Sequence, residues 1–287
     1  MFIGQAVRVN ALRRGAEPWL TVPQRAPADY VAAEYVARVM TLSLNEVSIA
    51  QLLVPVTGSC LADSVGQQLA DAIQLGLFAK GEQLPSEYVL AGQLGVSTLT
   101  LREALAALRN RGLVETRRGR NGGSFVCGPS PAPAARLRAR LRELSAVELR
   151  DLGDEWTAIA GTTARLAASR SSDDQIARLR SLADELAVSK SISTHTRANS
   201  RFAIELALAA QSERLTRAEV RLQGESGELL WTPSAKALRP DEVAADLHRI
   251  VDAVADEDME LSRTLAETRT QRNLRFLIAA HLELTGS

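Results

Sequence analysis

The sequence predicts a mainly α protein: an N-terminal winged helix-turn-helix, three helices plus a β-hairpin wing, followed by an all-α helical bundle. Three observations predict it. Residues 61–112 carry helical apolar stripes interrupted by two short, capped turns. Two β-type runs then flank the glycine-rich tip "RRGRNGG". Beyond residue 136 the stripes continue to the end without a β-rich segment.

Taken in order, "LADSVGQQLADAIQLGLF" puts Val65, Leu69, Ile73 and Leu77 on one helical face, and "AKGEQLP" closes it. A second helix opens with Ser86 as N-cap and runs to about Leu94, where Gly95 suits a left-handed C-cap. Ser97 caps a third helix, "TLTLREALAALRNRG", with Leu101, Leu105 and Leu108 as its buried stripe and Gly112 as its stop. Two helices joined by "GVS" form a helix-turn-helix. "LVETRR" and "SFVCG" read as the strands of a hairpin. "CGPSPAPAA" is a stiff, proline-rich linker. The bundle is read from "LSAVELRDLGDEWTAIAGTTARLAA", "SDDQIARLRSLADELA", "RFAIELALAAQSERL", "DEVAADLHRIVDAVADED" and "LSRTLAETRTQRNLRFLIAAHLEL".

With 287 residues, 46% of them apolar, the chain has room for two compact domains and an extension. The expected division is an extension at 1–60, the winged helix at 61–127, a linker at 128–135 and the helical domain at 136–287. No apolar run approaches the roughly 18 residues of a membrane span, so no membrane partner is expected. Cys60 and Cys127, without a CxxC pattern, are most simply reduced thiols of a cytoplasmic protein, a disulfide being the alternative. The extension leaves three readings open: a disordered arm, a basic arm on DNA (Arg8, Arg13, Arg14, Arg25), or an upstream stretch before a true start at Met40. Within it, Tyr30, Val31, Tyr35 and Val39 make a weak helical stripe, and Ser43 with Glu46 a capping box.

Basic and acidic residues cancel at 34 each, so distribution matters more than the total. Between Arg102 and Arg120 six arginines face Glu103 and Glu115, a local +4 in nineteen residues. Arginine supplies charge and forked donors, and glycine lets backbone approach phosphate, so the tip reads as a wing lying along DNA. An exposed turn without a partner is the alternative.

"GEQLPSEYVLAGQLGVSTLTLREALAALRNRGLVETRRGRNGGSFV" resembles the GntR family of bacterial transcription regulators, with LPSE, LGVS, LREAL, GLVE and the glycine-rich wing in family order. The second half resembles the FadR C-terminal domain subclass through "ARLAA", "LHRIVDAV" and helix order. The resemblance implies a homodimer that binds a palindromic double-stranded DNA operator and responds to a small-molecule effector. It implies DNA contacts from Ser97, Thr98, Thr100, Arg102, Arg117, Arg118, Gly119, Arg120, Gly122 and Gly123. Tyr88 and Thr98 stand where the family commonly has arginine, and only Arg102 is kept. Since a bidentate arginine–guanine contact is worth about 1–3 kcal/mol of discrimination, the operator should be altered or binding weakened.

Relatives with this helical domain often hold a divalent metal with an aspartate and three histidines. The matching positions are Asn199, Ala203, His248 and near Thr270, so one ligand of four survives and no metal or other cofactor is expected. Trp156 falls near the arginine that usually anchors a carboxylate effector. Trp156, Asn199 and His248 are therefore the effector-binding candidates, with a more apolar, lipid-like or aromatic effector expected unless Trp156 is simply core. No nucleophile–base pair and no phosphate loop with lysine are present, so an enzyme is not expected. The competing reading is a ligand-binding or protein-interaction module with a weakened DNA-binding domain.

Overall fold

The computed structural model describes residues 61–119, 122–128, 134–234 and 238–286. The readings of the N-terminal extension, of Cys60 and of Arg120 lie outside these residues.

Helix α1 (Leu61–Gln74) buries Val65, Leu69 and Ile73 as the four-residue spacing predicts. It ends sooner than expected, because Gly76 takes a left-handed φ of 70°. Leu77 nevertheless reaches the core from the following turn. Helix α2 (Glu87–Leu94) starts where the Ser86 side chain accepts the Val89 N–H, and stops at Gly95 with φ 67°. That positive φ is costly for a residue with a Cβ. Helix α3 (Thr98–Asn110) starts where Ser97 Oγ accepts the Thr100 N–H at 3.1 Å. Strands β1 (Val114–Arg117) and β2 (Gly123–Val126) pair antiparallel, Val114 opposite Val126 and Arg117 opposite Gly123.

The hairpin is anchored by a segment the sequence reads only as a loop. Gly81 N–H donates to Val126 O at 2.7 Å, Val126 N–H to Glu82 O at 2.9 Å, and Leu84 N–H to Ser124 O at 2.8 Å. This edge pairing fixes the wing's root against the start of α2. The winged-helix core is aliphatic: Leu69, Ile73, Leu90, Leu94, Leu101, Leu105 and Leu108 are fully or almost fully buried.

The second core belongs to seven helices: α4 (Ala134–Glu143), α5 (Ala146–Arg170), α6 (Asp173–Val188), α7 (Ile192–Ala209), α8 (Glu213–Ser226), α9 (Pro240–Ala255) and α10 (Met259–Thr285). A short 3₁₀ turn, Leu229–Trp231, precedes α9. Capping boxes at Ser145 and Ser172 start α5 and α6. One expectation is corrected: "RFAIELALAAQSERL" is not one helix but the end of α7 and the start of α8. Gln211 takes φ 51°, and the turn is clamped when Arg170 donates to Ala210 O and Gln211 Nε2 donates to Arg170 O, each at 2.8 Å.

The two cores share an edge. Ile204 and Leu208 of α7 are buried within the winged-helix core, and α8 crosses α1 closely. A Cβ at Gly224 of α8 would lie 3.1 Å from the Asp71 side chain of α1.

Candidate nucleic-acid interface and effector site

Helix α3 divides into two faces. Leu101, Leu105 and Leu108 hold it to the core, while Thr98, Leu99, Arg102 and Glu103 are exposed. Two large apolar side chains stand in solvent beside them: Tyr88 of α2 is 83% exposed and Leu99 66%. Exposed apolar groups of that size on one face are a mark of a contact surface. Arg102 projects from α3 but its Nε donates to Glu87 at 2.6 Å, which fixes its stem and leaves the outer guanidinium nitrogens for a partner. The Ser97 and Thr100 hydroxyls are 2.9 Å apart and serve the cap as a pair.

On the wing, Arg117 stacks 4.2 Å above the Phe125 ring and also pairs with Glu115 at 2.7 Å. Its head is thus held on the wing's surface. Arg118 is exposed one residue further on. At the tip, Gly119 has φ 115°, and a Cβ at Gly122 would meet Arg117 O at 2.5 Å. Only a residue without a Cβ fits there. Gly122 O accepts from Gln83 Nε2 at 3.0 Å, and Gly123 sits against the same side chain. Gln83 thereby braces the tip from below, a role with no signal in the sequence.

In the helical domain the three effector candidates separate. Trp156 is buried in the core, close enough to Glu219 to favour its carboxylate form. Asn199 is buried too, and Arg269 Nη2 donates to its Oδ1. His248 goes elsewhere: its Nε2 lies 3.1 Å from Asp184 of α6, at a half-exposed position. The donors at the matching metal positions do not fit a cation. Ala203 has none, Thr270 gives its hydroxyl to Ala266 O, Asn199 is engaged by a guanidinium, and His248 is paired. Among the described residues no group of three or more His, Cys, Asp or Glu side chains is gathered. The other histidines have backbone partners, His195 with Ser189 O at 3.1 Å and His281 with Leu141 O at 3.0 Å.

The helical domain that holds Trp156 also buries polar side chains. Arg269 and Asn273 project inward from α10, and Glu219 and Gln223 from α8. Burial pushes the Arg269 guanidinium down to about 10 and raises the Glu219 carboxyl, with Gln223 and Arg269 opposing that rise. Several buried polar atoms here have no partner: Asn199 Nδ2, Glu219 Oε2, Arg269 Nε, and both Oδ1 and Nδ2 of Asn273. A buried polar atom left unsatisfied costs about 1–3 kcal/mol.

These features define a winged-helix DNA reader joined to a helical domain with a polar interior. The comparisons with known proteins agree. Residues 61–126 match the family of bacterial regulatory proteins, gntR family, and residues 156–272 match the FCD domain. An HTH-type transcriptional regulator of Mycobacterium gastri, RmpR, is 43% identical over 225 residues, covering 78% of this chain and 82% of that protein. A second HTH-type transcriptional regulator, from Mycobacterium tuberculosis, is 35% identical over 137 residues, 47% of this chain and 54% of that protein. Among solved structures, Escherichia coli McbR/YncC is similar with a TM-score of 0.46 at 19% identity, covering 78% of this chain and 99% of that one. The chain belongs to the GntR family: it is a helix-turn-helix transcription regulator carrying an FCD effector-binding domain, and it is not an enzyme. Among the described residues no helix is long and apolar enough to cross a membrane.

Proposed function

We propose that the chain is a FadR-type member of its family, acting in the cytoplasm as a homodimer on an inverted-repeat operator. Two copies of α3 enter major grooves about 34–36 Å apart. Thr98, Leu99, Arg102 and, from α2, Tyr88 reach the base edges. Ser97 and Thr100 hold the helix N-terminus in shape. Arg117, Arg118, Arg120 and the glycines Gly119, Gly122 and Gly123 follow the phosphates. The observation that carries the reading is the exposed face that joins Tyr88, Leu99 and the braced Arg102.

That face also suggests what is read. Leucine, tyrosine and threonine offer apolar contact to the thymine 5-methyl group, whereas the arginines usual at two of these positions would select guanine. An operator rich in thymine at the contacted positions follows. In the helical domain the effector is a small polar molecule met by Arg269, Asn199 and Asn273, with Trp156 as a wall and His248 outside the site. The unpartnered donors and acceptors support this.

The test is anisotropy with DNA from the protein's own upstream region at several salt concentrations. Saturable, sequence-selective binding is expected, weakened when deoxyuridine replaces thymidine at the operator's contacted positions. Replacing Arg117, Arg118 and Arg120 by alanine should lower the salt slope by roughly five, because the dimer loses six phosphate contacts. Weak binding that ignores sequence and survives the triple substitution would instead favour a ligand-binding module with a weakened DNA-binding domain.

A further inference from the structure

A cavity of about 210 Å³ lies where the winged helix meets the helical bundle. Its wall brings together Asp71 of α1, Arg111 just past α3, Arg136 and Arg140 of α4, Gln223 of α8 and Glu228 just past it. Many arginines elsewhere in the molecule are taken up in ion pairs. Arg102, Arg117, Arg178, Arg197, Arg221 and Arg272 are each bonded to a carboxylate. Among the described residues no hydrogen bond or ion pair engages the guanidinium of Arg111, Arg136 or Arg140, although two acids face them. One of those acids is occupied otherwise: Asp71 Oδ1 accepts from Gln67 Nε2 at 2.6 Å. Gln223 is almost wholly buried, and its Oε1 has no donor. Three cations against two acids leave the cavity positive.

We propose that this cavity binds a small oxyanion, a carboxylate or a phosphate, which bridges Arg111 of the DNA-reading half to Arg136 and Arg140 of the helical half. Guanidinium groups present planar forks of donors that match both anions. Three forks converging from two domains supply the contacts that a single exposed arginine does not. Arg111 directly follows the recognition helix and Arg136 and Arg140 lie on the first helix of the bundle, so an anion held between them fixes the angle between the halves. The site is separate from the effector cluster around Arg269. Gln223 touches both, since its Nε2 donates to Glu219 at 2.7 Å while its side chain lines the cavity.

The cavity's charge changes with pH. Burial pushes the Asp71 carboxyl up to about 6, against the lowering pull of Gln67, Arg140 and Arg111, and burial raises Glu228 as well. Below about 6 Asp71 takes up a proton and loses its negative charge, so the anion binds more tightly; above it the charge returns and binding weakens. The same proton favours folding: Asp71 has a higher affinity for it in the folded chain, so its contribution falls as pH rises toward about 6.

Calorimetry on the full chain at constant ionic strength tests this, with sulfate as the first probe because its charge is constant over the range used. Succinate and glycerol phosphate follow, separating carboxylate from phosphate chemistry. Saturable binding is expected, tighter below the Asp71 transition than above it, and weakened about tenfold or more in the Arg136→Gln/Arg140→Gln variant. Asp71→Asn should remove most of the pH dependence. Arg269→Gln should leave anion binding intact, which separates this site from the effector reading. Retained operator binding by the double variant shows that it is folded. Absence of saturable binding, or binding that persists unchanged in the double variant, overturns the proposal.

Discussion

The winged helix and the helical bundle bury opposite kinds of interior. From Leu61 to Gly128 no polar or charged residue among those described is buried as fully as the core, Asp71 and Gln93 being half-buried, and the core is leucine, isoleucine, valine, alanine and phenylalanine. From Thr163 onward the bundle buries Asn199, Glu205, Glu219, Gln223, Arg269 and Asn273 among its leucines and alanines. Some of these are neutralised: Glu205, whose proton affinity burial raises, is met by Arg178 at 2.7 Å. Others are left with open valences. The difference shows where each half keeps its chemistry. A DNA reader needs a rigid, dry body and carries its recognition groups outside. A ligand sensor must leave something inside incomplete.

The strongest way to break that contrast is to cut into the dry core. Leu105→Ala should lower stability by about 2–5 kcal/mol in denaturant unfolding, because a nearly incompressible aliphatic site is emptied. A loss under about 1 kcal/mol would mean that the winged-helix core relaxes far more than its packing implies. A smaller effect of opposite sign is expected in the wet core. Asn273→Leu exchanges two unpartnered buried polar atoms for a similar shape without them, and should raise stability by about 1–2 kcal/mol while abolishing the effector response. Destabilisation with an intact response would show that Asn273 is a satisfied structural group. The smallest change concerns the recognition helix: Ser97→Ala removes the cap and should cost about 1 kcal/mol, with weaker operator binding as the first turn of α3 frays. Unchanged binding would mean that the helix start is held by packing alone.

How much of this is legible in the sequence follows the range of the interactions. Ser86, Gly95 and Ser97 are readable because a cap is decided within three or four residues. The wing is readable because its glycines and arginines are local. The segment from Gly81 to Leu84 is not, since its pairing partners lie forty or more residues away and "GEQL" has no strand pattern. The break at Gln211 is hidden for a related reason: no glycine or proline marks it, and the clamp comes from Arg170. The inward position of Arg269 left a trace that composition obscures. Ser262, Ala266, Arg269, Asn273, Leu277 and Ala280 recur at intervals of three and four, so a buried stripe runs through α10 with polar members. A stripe defined by apolar residues alone passes over those polar members.

Gly224 bears on how such a protein changes over generations. Because α8 meets α1 through this residue, with Asp71 only 3.1 Å from the place a methyl would take, any larger side chain acts as a wedge driven between reader and sensor. A substitution at this one position should therefore act on the join between the two halves, and would be read as a change in stability or in operator binding.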